Sequence, residues 1–495
     1  MRYLIALLWL VIFTKKIFFW VYLWQLKEYH IGRFLDHFRT YKGKKLVFNY
    51  LPLVKILTLF GIILSARRGW TDIKFDLVYF TALIFFLEAA FAIKSFWQKT
   101  FKRPVLTKKV LTILNTCFSL EILIIFFAFL LELRLTRFTA LFLLFDILAP
   151  IILSFLVLLF QPIAVILRNR LIGKAKKKRE QFPNLLVIGI TGSYGKTSTK
   201  EFLATILSEK FNVLKTKEHQ NSEVGVSQCI LEELDSGHQI FICEMGAYNR
   251  GGIKLLCDIA KPKIGVLTGI NEQHMATFGS QENIIKAKYE LIESLPKDGT
   301  AFFNGKNKYC VDLYNKTQIK KYLYGQEAKV FGEENLLGAK AVAKQLGMAE
   351  EEISLAISRI ENKLPGIGCK KGINGLIIFD ATFSANPDGV IGHLEYLKSW
   401  SGKKVIVMPC LIELGKASKD VHQRIGKKIA EVCDLAIITT KDRFKEIQET
   451  AGGKAIFMEN SQEIFEKIKS AAQAGDTVLL ESRVPKQLIS LLLGK

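Results

Sequence analysis

The chain has 495 residues, 50% of them hydrophobic and 23% charged, which excludes a disordered or collagen-like polymer and predicts about three domains. Residues 1–180 hold 28 Lys and Arg against 9 Asp and Glu, whereas residues 181–495 hold 41 against 37. The net charge of +23 therefore belongs mainly to the apolar half. This distribution is typical of a membrane protein with basic cytoplasmic loops, and it argues against nucleic acid as a partner.

Apolar runs dominate the N-terminal part and predict a helical membrane domain over residues 1–180. The runs are Tyr3–Gln25, Leu51–Ser65, Leu77–Ile93, Val110–Leu131 and Phe138–Ile166. A bilayer core needs about 20 helical residues, so the last two runs are long enough, while the second is short and contains Lys55. Five spans fit this pattern, and three remain an alternative.

Loop charges provide an independent prediction of topology. The loops 26–46 and 94–109 hold six Lys and Arg each, against three in 66–76 and two in 132–137, and a basic segment follows the fifth run. The positive-inside rule then places the N-terminus outside and the segment after the last span in the cytoplasm. We expect an integral, multi-pass protein of the cell membrane whose remaining domains are cytoplasmic.

Three acidic residues, Glu88, Glu121 and Asp146, lie inside apolar runs. A bare charge there costs several kcal/mol, so each must pair, stay protonated or line a polar cavity. They indicate either a site for a lipid headgroup or simple packing between helices. The eight cysteines are scattered without a CxxC pair, and we interpret them as reduced thiols.

From Leu185 onward, short apolar runs alternate with helical stretches, which predicts parallel βαβ units. The candidate strands are Leu185–Ile190, Gln239–Cys243, Ile264–Thr268, Thr300–Phe303, Leu376–Phe379, Lys404–Met408, Leu435–Ile438 and Thr477–Leu480. Glu244, Asn304 and Asp380 each follow a strand directly. Because ligands of open parallel sheets bind outside the carboxyl ends of strands, these positions predict a site.

A glycine-rich stretch, Gly189–Thr197, stands between the first of these strands and a predicted helix over Ser198–Ser208. It reads TGxxGK[ST], with Ile190 where a full P-loop has its first glycine. Backbone N–H groups of such a loop close around phosphate, Lys196 neutralises phosphate oxygens, and the Thr197 hydroxyl can hold Mg²⁺. The pattern predicts a phosphate-binding loop, and a fortuitous glycine-rich turn is the alternative.

Three further residues gain meaning from their order along the chain. Glu244 can supply an oxygen to a hard cation beside Thr197. Taken alone, His274 is better explained as a loop or core histidine, and Lys288 as an exposed helix lysine. The ordered set, with the glycine loop ahead of them, indicates a shared site.

Over residues 185–495 the sequence resembles the Mur ligase family, ATP-dependent amide ligases of cell-wall peptide assembly. The resemblance rests on the glycine loop, Asn221–Val226, GAYNRGG after Glu244, the His274 loop, AKYE with Lys288, Asn304, Asn335, Asp380–Asp388, Ile412–Gly415 and Asp476–Arg483. The NSEVGV, SANPDG and IELG segments are most similar to the branch that adds D-alanyl-D-alanine. The family's fold implies a P-loop-type central ATPase domain with a mostly parallel sheet and a Rossmann-like C-terminal α/β domain.

The resemblance also implies a role for each matched position. Lys196 would hold the γ-phosphate, Thr197 and Glu244 a first Mg²⁺, and His274 with Lys288, as a CO₂-derived carbamate, a second. Asn304 and Asn335 would contact the adenine side, and Asp380 and Asn386 would close over the nucleotide. The remaining nucleotide-binding positions of the loop are Gly192, Ser193, Gly195 and Ser198.

Several positions depart from the family pattern. Glu334 stands where a histidine is common, Cys369 where Gly-Arg is usual, and Ala381 replaces a second aspartate. The front of the chain differs most, because soluble family members carry a UDP-gripping domain where this chain has its helical domain. These departures weaken the nucleotide contacts assigned to Asp380 and Asn386 of the C-terminal domain.

The predicted protein is a membrane-anchored, ATP-dependent ligase with domains at 1–180, 181–365 and 366–495. It would activate an acceptor carboxylate as an acyl phosphate and join it to an amino acid or dipeptide. The acceptor would be a cell-wall precursor, either UDP-linked or lipid-linked. A poly-γ-glutamate or folylpolyglutamate type ligase and a catalytically silent membrane scaffold are the alternatives, while a transporter lacks a second nucleotide motif.

Overall fold

The computed structural model describes residues 1–47, 49–68, 71–98, 100–217, 220–360, 368–382 and 386–494. Its contacts divide the chain into Met1–Leu167, here called the helical unit, and Arg168–Lys495, here called the α/β unit. The three-domain division stays a prediction, and its boundary at 365/366 lies outside the described residues. So does the 383–385 portion of the Asp380–Asp388 stretch.

The helical unit consists of apolar helices joined by short connections. They are α1 (Arg2–Leu26), α2 (Ile31–His37), α3 (Tyr41–Val47), α4 (Tyr50–Arg68), α5 (Thr71–Trp97), α6 (Lys108–Leu130) and α7 (Leu135–Leu159). The next helix, α8 (Gln161–Glu180), begins in this unit. The predicted run Phe138–Ile166 is thus divided, since α7 ends at Leu159 and Pro162 lies in the first turn of α8, where proline is tolerated.

Helix α1 lies at the centre of the helical unit and packs against α5, α6 and α7. Its Trp9 ring stacks on Phe13 at 4.4 Å and meets Phe142 of α7 edge-on at 4.8 Å. Because α1 is contacted from several sides, its buried residues do not form a single stripe. Five helical stretches of the described chain are long and apolar enough to cross a membrane, judged by length and composition.

An ionic network joins four helices of this unit. Asp146 of α7 accepts from Lys16 of α1 and from Lys55 of α4, both at 2.6 Å, and Lys55 also pairs with Glu88 of α5. Glu121 of α6 accepts from the Thr14 hydroxyl at 3.2 Å. Two of the three predicted acids therefore have cationic partners, which is how buried charge is stabilised in an apolar bundle.

The first sheet of the α/β unit is entirely parallel, in the order β2-β3-β1-β4-β5-β6. Its strands are β1 (Leu186–Thr191), β2 (Val213–Lys215), β3 (Ile240–Glu244), β4 (Ile264–Leu267), β5 (Thr300–Asn304) and β6 (Lys320–Tyr324). The accompanying helices are α9 (Lys196–Leu207), α10 (Glu223–Glu233), α11 (Gly252–Ala260), α12 (Met275–Phe278), α13 (Gln281–Glu293), α14 (Lys308–Lys316), α15 (Glu333–Gln345) and α16 (Glu350–Ser358).

Alternate residues of these strands pack into two separate cores. Val187 and Phe241 belong to one core, whereas Ile188 and Ile242 belong to the other. Strands buried on both faces in this way read as continuous apolar runs, as expected for a parallel sheet covered by helices. Parallel strands also bring their carboxyl ends to one edge, where the predicted site residues lie.

The second sheet is mixed, in the order β11-β10-β9-β12-β8-β7, with β7 antiparallel to β8. Its strands are β7 (Gly368–Lys371), β8 (Ile377–Ala381), β9 (Lys404–Met408), β10 (Leu435–Ile438), β11 (Ala455–Phe457) and β12 (Thr477–Glu481). Its helices are α17 (Pro387–Leu397), α18 (Ser418–Val432), α19 (Phe444–Thr450), α20 (Ser461–Ala471) and α21 (Lys486–Leu492). All eight predicted strands are present within one or two residues of their predicted bounds.

Candidate active site

The glycine loop forms the turn between β1 and α9. Gly195 caps α9 with φ of 78°, a conformation that L side chains rarely adopt. A Cβ at this position would collide with the side-chain oxygen of Asn335. The helix N-terminus thus presents its backbone N–H groups beside a left-handed turn that favours glycine, and this arrangement suits phosphate.

Lys196, the first residue of α9, folds back over the loop. Its ammonium group donates to the carbonyls of Gly192 at 2.8 Å and Ser193 at 3.3 Å. Burial lowers the pKa of Lys196, and the nearby Glu244 carboxylate offsets part of this effect. A cation held by weak carbonyl partners at this place is available to phosphate oxygens.

Glu244 lies at the carboxyl end of β3 and is only 3% exposed. It accepts hydrogen bonds from the Thr197 hydroxyl at 3.0 Å and from Asn221 at 3.1 Å, and Lys200 lies 3.3 Å away. Burial alone would raise its pKa, but the charges of Lys196 and Lys200 and these hydrogen bonds lower it. The carboxylate is therefore ionised beside the Thr197 hydroxyl.

His274 stands at the start of α12 in a left-handed backbone conformation, with φ of 64°. Its Nδ1 lies 2.7 Å from a carboxylate oxygen of Glu413, and the Tyr248 ring meets the imidazole edge-on at 4.8 Å. Burial lowers the pKa of His274, against the opposing effect of Glu413. A neutral ring whose Nδ1–H donates to a carboxylate has Nε2 as its metal-binding nitrogen.

Lys288 is buried on α13, with 3% of its surface exposed. Burial, and after it the charge of Lys196, lowers its pKa to about 7. Taken by itself, Lys288 was better explained as an exposed helix lysine, whereas the ordered set of residues placed it in the site; the structure buries it. A lysine that loses its proton near neutral pH has a nucleophilic amine, which an exposed lysine lacks.

The predicted nucleotide contacts are distributed unevenly. Asn335 is buried beside the loop, and its amide oxygen accepts from the Thr199 hydroxyl at 3.3 Å. Asn304 donates to the Thr268 carbonyl at 2.8 Å and accepts from the Lys306 amide, so it braces the edge of the first sheet. Glu334 folds back to accept from the Gly332 amide at 2.8 Å, and burial raises its pKa.

The two predicted contacts from the second sheet also differ from each other. The α/β unit has a first half, from β1 to α16, and a second half, from β7 to α21. Asn386 caps α17 in the second half and accepts from Asn271 of the first half at 3.2 Å. The described partners of Asp380 are Lys370 at 2.9 Å and Thr382 at 2.7 Å. The structure thus brings Asn386 to the loop that contains His274, whereas Asp380 bonds within its own part of the fold.

Phosphate and Mg²⁺ fit this set of residues. The Thr197 hydroxyl and the ionised Glu244 carboxylate are oxygen ligands of the kind Mg²⁺ prefers, and phosphate oxygens complete such a shell. Within the described ranges, three His, Cys, Asp or Glu side chains nowhere gather into a protein-only metal cluster. A cation here would accordingly be held jointly by the protein and the nucleotide.

Sequence reasoning assigned no role to several residues of the site. Lys200 is fully buried beside Glu244, and its only available signal was its position one helical turn after Lys196. Asp388 and Glu413 belong to quoted family segments, but both reach across from the second half of the unit to the 271–276 loop. Such non-local partners leave no local pattern in a sequence.

Comparisons with known proteins agree with this geometry. Residues 190–374 match the Mur ligase middle domain, and residues 368–483 match the Mur ligase glutamate ligase domain. A UDP-N-acetylmuramoyl-tripeptide–D-alanyl-D-alanine ligase of Synechocystis is 30% identical over 335 residues, which cover 61% of this chain and 73% of the relative. The chain therefore belongs to the Mur ligase family, and it is an ATP-dependent, ADP-forming acid–amino-acid ligase.

Solved structures show the same fold. MurF from Acinetobacter baumannii superimposes with a TM-score of 0.61 at 24% identity, covering 66% of this chain and 81% of that protein. MurF from Thermotoga maritima in complex with ADP gives a TM-score of 0.59 at 24% identity, covering 66% and 83%. Mur ligases use ATP and Mg²⁺, and the glycine loop with Glu244 is compatible with both.

Proposed function

We propose that this chain joins a D-alanyl-D-alanine dipeptide to the carboxylate of a muramoyl-tripeptide precursor. The observation that supports this most strongly is the convergence of the glycine loop, Lys196, Thr197 with Glu244, and His274 in one site. The Synechocystis relative is named for a muramoyl-tripeptide acceptor, which is UDP-linked in that protein, and for D-alanyl-D-alanine. The SANPDG and IELG segments favour this branch over a folylpolyglutamate type ligase.

The reaction we propose has two steps. An acceptor carboxylate oxygen attacks the γ-phosphorus of ATP, and ADP leaves as an acyl phosphate forms. The dipeptide amine then attacks the acyl carbon, loses a proton, and expels inorganic phosphate as the amide bond forms. Phosphoryl transfer of this kind depends on positioning and electrostatics, with little covalent work for the protein.

We assign each residue of the site a separate role in phosphate or metal binding. Gly195 and the first amides of α9 would receive phosphate oxygens, and the half-buried Lys196 would neutralise their charge. Thr197 and Glu244 would hold one Mg²⁺, and His274 and Lys288 a second. When bound, the two cations offset the charge that develops on the transferred phosphoryl group.

Lys288 enters this scheme as a carbamate. Its lowered pKa, about 7, leaves a neutral amine that can add CO₂ and release one N–H proton to solvent, and the product is an anionic oxygen ligand in place of a cation. The charge of Lys196, which disfavours an ammonium at Lys288, would favour the carbamate. The buried position keeps this group away from solvent and from competing reactions.

ATP turnover by the full-length protein in detergent tests the proposed function. We expect phosphate release only when muramoyl-tripeptide acceptor and D-alanyl-D-alanine are both present, and a product whose mass equals their sum minus water. Glutamate-dependent turnover with a folate acceptor would instead indicate the folylpolyglutamate type. Lack of turnover with every acceptor and amine, in protein that still binds ATP, would favour the silent scaffold.

We further propose that the helical unit anchors the enzyme in the cell membrane with the α/β unit in the cytoplasm. Five helical stretches have suitable length and apolarity. Many of their large apolar side chains are exposed, among them Phe60, Phe86 and Ile151, as lipid contact requires. A cytoplasmic α/β unit shares its compartment with Mg-ATP.

The acceptor itself is proposed to be lipid-linked, with a soluble UDP-linked precursor as the alternative. The family matches begin at residue 190, and helices precede them, whereas the family resemblance implies a UDP-binding domain at this place in soluble members. Basic residues near the bilayer surface attract anionic headgroups at about 1 kcal/mol each, and a polyprenyl diphosphate presents such charge. Competition between the two acceptors, with the full-length protein in nanodiscs, tests this proposal. Exclusive use of the UDP-linked acceptor would contradict it.

A further inference from the structure

A short loop of the first half of the α/β unit, residues 271–276, is held by several groups from the second half. Asn271 donates to Asn386 at 3.2 Å and to Asp388 at 3.1 Å. Glu272 accepts from Arg424 at 2.7 Å. These contacts hold the loop, including His274, against the second half of the α/β unit.

Glu413 contributes two further contacts to the same loop. Its side chain lies 2.7 Å from Nδ1 of His274, and its carbonyl accepts from the Ala276 amide at 3.0 Å. Glu413 and His274 both have φ of 64°, although neither is a glycine. Two left-handed residues facing each other cost free energy, and such strain is kept where the surrounding structure needs it.

The bond to Glu413 determines which nitrogen of His274 can act. An ionised carboxylate only accepts, so the proton of a neutral imidazole resides on Nδ1 and the lone pair on Nε2. Metal-binding histidines commonly donate their second ring N–H to a carboxylate in this way, which fixes both the tautomer and the ring orientation. The Glu413 side chain is mostly buried, with 8% of its surface exposed.

We propose that Glu413 is the positioning residue of His274, so that divalent-metal binding at His274 depends on the second half being seated on the 271–276 loop. The proposal rests on the proposed function, in which His274 holds the second cation. Since coupling between two events is reciprocal, metal binding at His274 must in turn favour the seated arrangement. Cation loading and seating of the second half on this loop thereby become one linked event.

Mn²⁺ binding by the full-length protein in detergent tests the proposal, in the presence of the β,γ-imido analogue of ATP and with electron paramagnetic resonance as readout. We expect two bound Mn²⁺ ions in the unmodified protein. Glu413→Ala should weaken one of them by about 10- to 100-fold, and His274→Ala should weaken the same ion. Glu413→Gln, which can still accept from Nδ1 without a charge, should have a smaller effect.

Arg424→Ala is the matched control, because it removes a contact to the same loop without touching His274. Its exposed ion pair should change Mn²⁺ affinity by less than about threefold. In the double variant His274→Ala/Glu413→Ala, the second substitution should add nothing to the first. Additive losses would mean that Glu413 acts elsewhere and would overturn the proposal.

Hydrogen exchange provides the reciprocal readout. The Ala276 amide, which donates to the Glu413 carbonyl, should gain protection when Mn²⁺ binds the unmodified protein but not the Glu413→Ala variant. If Glu413→Ala keeps both ions within twofold while His274→Ala loses one, the positioning role is wrong and the metal assignment stands. If His274→Ala also keeps both ions, the assignment of His274 in the proposed function fails.

Discussion

Gly195 is the residue whose backbone most directly limits the phosphate loop. Alanine there would combine left-handed strain of about 1 kcal/mol with a collision against Asn335. We expect Gly195→Ala to reduce ATP turnover at least about tenfold, one power of ten per 1.4 kcal/mol lost. Gly453→Ala is the control, since Gly453 has the same φ of 78° in open space and lies on a surface turn. Equal turnover in the two variants would contradict the role of the loop.

The carbamate proposed at Lys288 would make the activity depend on both pH and CO₂. Because its pKa is about 7, the amine becomes protonated as the pH falls below neutrality and can no longer add CO₂. We expect turnover in CO₂-depleted buffer to recover on addition of bicarbonate above about pH 7 and to recover poorly about one unit lower. The measurement is phosphate release across pH with and without bicarbonate.

Substitution of the same lysine gives a separate prediction. Lys288→Ala should abolish ligation, and short carboxylic acids should restore part of it by replacing the missing oxygens. Lys286→Ala provides the control, because Lys286 is an exposed lysine two residues away on the same helix. Full activity of Lys288→Ala would remove the carbamate from the proposal.

At the scale of helices, the ionic network gives the helical unit a stability prediction. Asp146→Asn leaves Lys16 and Lys55 facing each other without their shared carboxylate. Breaking a buried ion pair from one side costs about 3–5 kcal/mol, so thermal unfolding in detergent should occur at a clearly lower temperature. Asp76→Asn, an exposed change on α5, should leave the transition unchanged. An unchanged transition for Asp146→Asn would mean that the network adds little stability.

The strands show how much of the fold a sequence reveals. Strands in the sheet interior were predictable because burial on both faces demands apolar runs, as in Lys404–Met408, where predicted and observed bounds coincide. The missed strands are β2, β6, β7 and β11. All four are the outermost strands of their sheets, where less of each strand is buried and the apolar run is weaker. In addition, β2 and β11 have only three residues each, and β7 is polar.

From the residues themselves, the site could be predicted only where a residue directly follows the end of a predicted strand. The glycine loop, Thr197 and Glu244 obey local rules, since a loop after one strand and an acid at the end of its neighbour must meet. The pairing of His274 with Glu413 spans 139 residues, and no periodicity connects the two. The burial of Lys288 likewise depends on which face of α13 the first sheet covers.

For the whole molecule, the five predicted spans place the two chain ends on opposite sides of the membrane. Tags at residue 2 and residue 495 should then be protected differently, the first accessible from outside and the second only after the membrane is opened. The alternation of basic and less basic loops is the physical basis for this expectation. A tag-protection assay that finds both ends on one side would reject five spans and favour an even number.

The distribution of cysteines offers an experimental handle on this molecule. Seven of its eight thiols are buried, and burial raises the pKa of those at Cys229, Cys257 and Cys433 to about 12. Cys369 alone is exposed, on β7 at the edge of the second sheet. Since thiolate character and access govern alkylation, the native protein should accept one maleimide and the unfolded protein eight. A fluorophore can thus be placed on the C-terminal half of the unmodified enzyme, and its emission followed while substrates bind.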